Sequence, residues 1–458
     1  MPSSLFEHAL LLRATLAAGA LALAAPASAA DLMDAWRAAQ AWDATYAASR
    51  AALRAALEKI PQGDALLAAR IDLTANAGQA RQDYRSGDPV VKASAVSQGQ
   101  QAGAAVVLTK PVYDAAGAVA RDRLHREAEQ AQAQFDQARQ DLMLSVTRAY
   151  FDLLLAQDNL QLAQAQRQAI GEQLGLAKQS YELGLTSVTD SDDAQARYDN
   201  IVAVEQASRT DREAKADVVR QLTALDPAQI APVSPGVLET LPPSPALQGF
   251  VDRARDGNPV ARQLALGVQI AHRQIDQYRL AGAPVVSVVA SYGNQLAAGS
   301  ISSSGSRDRT GSASVGLQLS MPLWDGGARR SSERQAVAAE EQQSQSLEAA
   351  RRDAERLARS YAAAVRDGAL RIASLERART SGASSVDSNK LGREAGVRTT
   401  IDVLNAEQSW YQTLTLLSSA RYDFLFAQLQ LAATAGDLDE TQLARINGAI
   451  ANVTPPHP

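Results

Sequence analysis

Two aspartates follow glycines at the same interval. Gly184-Leu185-Thr186-Ser187-Val188-Thr189-Asp190 is answered 212 residues later by Gly396-Val397-Arg398-Thr399-Thr400-Ile401-Asp402. Ser187-x-x-Asp190 and Thr399-x-x-Asp402 have capping-box spacing, in which a hydroxyl and a carboxylate satisfy the first amides of a restarting helix and favour its dipole. Other reactive chemistry is sparse. The four histidines, at 8, 125, 272 and 457, fall at no metal-ligand spacing, and His125 and His272 lie among helical charges. The 458 residues contain no cysteine, which excludes disulfides, thiolate metal sites and a lipid-modified cysteine. No phosphate loop, dinucleotide fingerprint, nucleophile elbow or zinc helix is present, so the chain reads as a non-enzyme without cofactor or metal. A net charge of −5 and 5% aromatic residues argue against a nucleic-acid partner.

The matched strings belong to a longer duplication. Leu108-Thr109-Lys110-Pro111-Val112-Tyr113-Asp114 returns as Leu319-Ser320-Met321-Pro322-Leu323-Trp324-Asp325, at an offset of 211, and residues 43–78 match 258–293 at 215. Three segments in one order at nearly the same offset indicate a duplicated unit of about 210 residues, too large for a solenoid repeat. The expected organisation is a signal peptide over 1–30, a first repeat over 31–225, a proline-rich linker over 226–245, a second repeat over 246–436 and a disordered tail over 437–458. The signal reading rests on the short apolar stretch Ala14–Ala25 followed by Ala27-Ser28-Ala29, a small-residue cleavage pattern. Beyond Ala30 no apolar run reaches 18 residues, so a membrane crossing requires strands.

Each repeat changes period twice, from helix to strand and back to helix. Residues 31 to about 60 read as a helix with Trp36, Trp42, Tyr46, Leu53 and Leu57 as its stripe. From Arg70 polar and apolar residues alternate, with Ile71, Leu73, Ala75 and Ala77 on one parity. Ala313, Val315, Leu317, Leu319 and Met321 alternate the same way in the second repeat. Fainter strands cover 102–110 and 283–295, where Val106, Leu108, Val286, Val288, Ala290 and Tyr292 keep the parity. Such strands fit a transmembrane barrel or a half-buried soluble sheet, and periodicity does not separate the two. Residues 81–99 and 297–311, rich in Gly, Ser and charge, read as the joining loops. Four strands cannot close a barrel, so an oligomer has to supply the others. Long helices are expected over 114–183, with a seam of Ala128, Ala131, Phe135, Ala138, Leu142, Ala149 and Leu153, and over 325–389, with Leu347, Ala350, Ala354, Leu357, Tyr361 and Ala364.

This pattern resembles the TolC-like outer-membrane channel family. The residues that carry the resemblance are Leu319 to Gly327 (LSMPLWDGG), Gly396 to Gln408 (GVRTTIDVLNAEQ) and Ala420 to Gly436 (ARYDFLFAQLQLAATAG). The resemblance implies a mainly α fold with a transmembrane β-barrel: three protomers each give four strands to a twelve-stranded barrel, and long antiparallel helices form an α-barrel tunnel in the periplasm. It implies a homotrimer in outer-membrane lipid, working with a periplasmic membrane-fusion adaptor and an inner-membrane ABC or RND transporter. Cargo passes from that complex to the exterior. The string from Asp402 through Ala420-Arg421-Tyr422-Asp423 looks most like the type I secretion members, which export proteins. A small-molecule efflux duct is the alternative, and a periplasmic coiled-coil adaptor a more distant one.

The resemblance also implies a gate beyond the turn glycines Gly184 and Gly396. Family members carry an aspartate ring at the position of Asp402 and often a second where this chain has Asn405. Arg398 matches an arginine that ties neighbouring coils, with Thr189 and Asp190 as its partner region. Three copies of Asp402 around a pore axis raise one another's pKa and form a cation site. The aromatic residue three before the glycine is Tyr181 in the first repeat but Arg393 in the second, which points to an ionic inter-coil link in place of a tyrosine hydrogen bond.

Overall fold

The computed structural model describes residues 30–87, 90, 94–184, 186–230, 247–302 and 304–451. The signal segment, most of the linker and the last seven residues lie outside them. The chain is mostly helical, with one small antiparallel sheet. Helices α1 (Leu32–Trp42), α2 (Ala44–Leu57) and α3 (Lys59–Ala65) lead into strands β1 (Arg70–Arg85) and β2 (Ser94–Tyr113). Helix α4 (Ala115–Glu182) and the returning α5 (Val188–Thr223) follow. The order then recurs: α6 (Leu247–Gly257), α7 (Pro259–Leu280), β3 (Val285–Gly299), β4 (Arg307–Ser320), α8 (Ala328–Glu394) and α9 (Thr400–Thr434), with α10 (Glu440–Ala451) at the end.

Two compact units cut across the duplication. One comprises β1–β4 with the adjoining helical segments, Arg50–Phe135 and Val260–Ala350; the other takes Asp136–Pro259 and Arg351–Pro458 with the residues up to Ser49. Each unit draws on both repeats, so the sequence halves are interleaved in space.

Three expectations are corrected. The helix read over residues 31 to about 60 breaks at Asp43, whose carboxylate accepts from the Tyr46 amide at 2.6 Å and starts α2. The strands extend well into the segments read as loops, leaving residues 86–93 and 300–306 as the connections. Where both sheet faces meet water the polar/apolar contrast vanishes, yet the backbone ladder continues, so composition alone reads as loop. The tail is not disordered over 440–451. There Leu443, Ile446 and Ile450 are buried at helical spacing, and Asn447 accepts from the Leu32 amide at 3.1 Å while donating to Asp31 at 2.8 Å. The indole of Trp36 donates to Glu440 at 3.1 Å, completing the clasp between α1 and α10.

The helical seams follow heptads. In α4 Ala128, Leu142, Ala149 and Leu153 are buried as the pattern anticipated. In α8 the buried stripe runs Ala354, Ala358, Val365 and Ile372, so the seam keeps Ala354 but passes through Val365 in place of Ala364. Steps of seven keep one side of a long helix against its neighbours. Much of the apolar interior gathers on α9, where Leu417, Phe424, Leu425, Leu429 and Leu431 are buried.

Candidate functional site

Two places in the chain bear on function: the sheet and the glycine-marked helix turns.

The sheet has the order β1-β2-β3-β4, antiparallel throughout. Its register settles which residues share a face. Ile71 pairs with Leu108, Leu108 with Ala290, and Ala290 with Val315; one step along, Leu73, Val106, Tyr292 and Ala313 align. Val288 and Leu317 add a further apolar pair on that face. Opposite faces alternate along a strand, so Asp72, Ser291 and Ser314 lie on the other side, where the hydroxyls of Ser291 and Ser314 are 2.8 Å apart. All four strands therefore present one apolar face and one largely polar face. The apolar face is bare: Leu73 is 74%, Val315 79% and Leu317 76% exposed in the single chain. At about 3.3 Å per residue the strands outrun an apolar band of roughly 25 Å. Beyond Ala77 the same parity turns polar, with Arg81 and Asp83 paired at 3.6 Å.

The helix turns are built around backbone that favours glycine. Gly184 has φ 72° and Gly396 φ 75°, the left-handed region in which a side chain is strained. The Gly184 amide reaches Tyr181 O at 2.8 Å, the Gly396 amide Arg393 O at 2.9 Å, and Val397 and Arg398 both donate to Gly392 O. The long helices end there, and each returning helix begins four residues after its glycine.

At the start of α9 the capping box is complete. The Asp402 amide donates to the Thr399 hydroxyl at 3.1 Å and the Thr399 amide donates to the Asp402 carboxylate at 2.9 Å. Those bonds from Thr399, aided by the Arg398 charge, hold the exposed Asp402 carboxyl below the usual carboxylate range. The α5 start differs, because the Ser187 hydroxyl accepts from the Thr189 amide at 3.2 Å and Asp190 donates its own amide to Ser187 O. Asp190 is thus the less committed of the two aspartates.

Other expected residues find partners within the chain. The Arg393 guanidinium donates to the Gln173 side chain on α4, a link to a neutral acceptor in place of the expected ionic one. Asn405 accepts from Arg197 at 2.8 Å, and Gln408 accepts from the same guanidinium at 2.9 Å. Among the described residues no hydrogen bond or ion pair joins Arg398 to Thr189 or Asp190. Sequence reasoning missed Arg197 and Gln173, and it missed the ion pair of Lys390 with the buried Glu407 at 2.9 Å. Glu407 lies five residues from Asp402 inside an amphipathic run, where its type gives no sign of burial. The apolar packing beneath the turns joins Ile170, Leu174, Ala177, Ala194, Ile201 and Leu404. Alongside it a groove of about 840 Å³ is lined by Asp193, Arg197 and Val204 of α5 and by Gln408, Tyr411 and Leu416 of α9.

A model of the outer membrane efflux protein family matches residues 35–226 and again 250–437, once for each repeat. The chain belongs to that family. Outer membrane protein TolC of Vibrio cholerae is 27% identical over 398 residues, covering 86% of this chain and 88% of the relative. The proteases secretion protein PrtF of Dickeya chrysanthemi is 29% identical over 92% of this chain and 91% of its own length. Alkaline protease secretion protein AprF of Pseudomonas aeruginosa is 33% identical over 66% of this chain and 63% of its own. Among solved structures, the outer membrane protein VceC of Vibrio cholerae superposes with a TM-score of 0.74 at 17% identity, covering 88% of this chain and 96% of that one, which speaks for the fold. A member of the outer membrane efflux family with this sheet is an outer-membrane export channel with a large periplasmic part, and β1–β4 are its membrane strands.

Proposed function

We propose that three copies of the chain close one barrel and form a passive duct for protein secretion of type I. The observation that carries the reading is the open sheet: β1 and β4 are each paired on one side, and the apolar face of all four strands is uncovered. A spanning sheet cannot leave edges unpaired in lipid. Pairing β4 of one copy with β1 of the next satisfies both edges and, with three copies, gives about twelve strands, within the range of known barrels. An inner-membrane ABC transporter, coupled to the duct through a periplasmic membrane-fusion adaptor, supplies the energy, because the chain has no nucleotide motif. Protein cargo is favoured by the secretion names of AprF and PrtF. Small-molecule efflux through an RND transporter is the second reading, favoured by the description of the family model.

In this proposal the helix turns form the periplasmic gate. Asp402 contributes one acidic ring, Asn405 leaves a second ring uncharged, and Arg398 ties to Thr189 and Asp190 of a neighbouring protomer. Gly184 and Gly396 permit the reversals, and Arg393 ties its coil to that of the first repeat through Gln173. An unheated outer-membrane fraction should show a trimer that heating converts to monomer; monomer under both conditions overturns the assembly. Deleting the gene should abolish export of a protein while leaving drug tolerance unchanged, and the opposite outcome assigns the duct to efflux.

A further inference from the structure

Helices α5 and α9 are the returning helices of the two repeats, and among the described residues the Arg197 guanidinium supplies every hydrogen bond between them. Its fork meets acceptors three residues apart on α9, Asn405 at 2.8 Å and Gln408 at 2.9 Å, so it spans one helical turn. Both acceptors are neutral amide oxygens. One turn before Arg197 on its own helix stands Asp193, an i,i+4 arrangement suited to an ion pair. Asp193 lines the same groove as Arg197 and Gln408, yet no ion pair joins Asp193 to Arg197. The repeat explains the geometry: Asp193 and Asn405 are counterparts at the offset of 212, as are Asp190 and Asp402. The first repeat therefore keeps a carboxylate at the position where the second has an amide, and Arg197 stands between the two.

We propose that Arg197 is a two-position latch of the gate, a reading that rests on the channel function above. With α5 and α9 together, its fork is held by Asn405 and Gln408. When the helices part, those acceptors are lost and the guanidinium turns to Asp193, which keeps the charge paired and holds the parted state. An amide at 405 keeps the closed position weak enough to release, since a carboxylate there would make it an ion pair. The side chain is a positioning residue: it sets the balance between two arrangements and touches no cargo.

The test is single-channel recording in planar bilayers of purified, heat-modifiable trimers. Arg197→Ala removes the closed tie and should raise occupancy of high-conductance states on the order of tenfold. Asn405→Asp should lower that occupancy, and raising the salt should reverse the effect because the new tie is an ion pair at an exposed site. Asp193→Asn withdraws the alternative partner and should shorten the high-conductance dwells. Arg197→Lys retains the charge but has no fork, so it should lie between wild type and Arg197→Ala. Lys178→Ala breaks a 2.9 Å tie from α4 to Gln195 of α5 and should leave gating unaltered. Wild-type recordings with no channels overturn the duct reading itself. Channels in wild type whose gating is the same in Arg197→Ala, or an Asn405→Asp effect that salt does not touch, overturn the latch.

Discussion

The phenol of Tyr422 donates to the Asp158 carboxylate at 3.2 Å, joining α9 to α4 inside the helical unit. The ring of Tyr422 is buried, with the Phe151 ring centroid 5.7 Å away. Burial pushes the Asp158 carboxyl up to about 6, against the hydrogen bonds of Tyr422 and Ser418 and the charge of Arg421. That charge is itself engaged by Glu376 of α8. Because Asp158 keeps its proton to higher pH folded than unfolded, the folded state binds more protons between about pH 4 and 6, and stability falls as pH rises through that window. Asp158→Asn keeps an acceptor for Tyr422 and removes the charge. Its gain over wild type should be small near pH 4 and reach on the order of 2 kcal/mol above about pH 6. Thermal unfolding in detergent across that range is the measurement, and a pH-independent gap would mean that Asp158 does not titrate there.

The sheet register predicts opposite costs for neighbouring residues. Leu317 lies on the bare apolar face and Gln318 on the other. Leu317→Arg should cost about 2–4 kcal/mol if it sits near the bilayer midplane, whereas Gln318→Arg should be mild. Trimer yield from outer membranes reports the difference, and equal yields would refute the assignment of faces.

The absence of native cysteine makes topology accessible by labelling. Ser86 follows β1 and Ser304 lies between β3 and β4, at the far ends of the strands from the long helices. Ser86→Cys and Ser304→Cys should react with an impermeant maleimide on intact cells, and Ser187→Cys should stay unlabelled until the outer membrane is breached. Labelling confined to Ser187→Cys would invert the orientation.

The capping box and the proposed acidic ring make separable demands on Asp402. Thr399→Ala removes the hydroxyl that accepts from the Asp402 amide and should destabilise the helix start by about 1 kcal/mol while leaving the charge in place. Asp402→Ala leaves that hydroxyl bond in place and removes the carboxylate that accepts from the Thr399 amide, and the charge with it. If three carboxylates hold cations at the gate, trivalent-cation block should vanish in Asp402→Ala and persist in Thr399→Ala. Block that persists in Asp402→Ala confines the residue to capping.

Much of the fold is visible in the sequence because its signals are local and repeated. The parity of Ile71 and Leu73, the heptad steps of α4 and the strings at Gly184 and Gly396 each declare an element without reference to anything distant. The helix over 440–451 could have been read from Leu443, Ile446 and Ile450, but its short length and the prolines beyond it masked the stripe. The site was less legible for a different reason. Arg197 meets Asn405 across 208 residues of chain, and its counterpart at the repeat offset is Ser409, so the duplication that exposes the glycine turns is silent about the latch. Side-chain pairing of this kind depends on the rotation of two helices about their axes, which hydrophobic periodicity sets only coarsely.

The open edges of β1 and β4 carry a genetic consequence. A ring closed head to tail tolerates no gap, so a chain that offers β1 normally but cannot offer the outer edge of β4 terminates every ring it joins. An allele that merely abolishes expression should be recessive, because the remaining copies still close among themselves. The edge-blocked allele should be dominant, leaving about one assembly in eight free of a defective member when the two chains are made equally and mix at random.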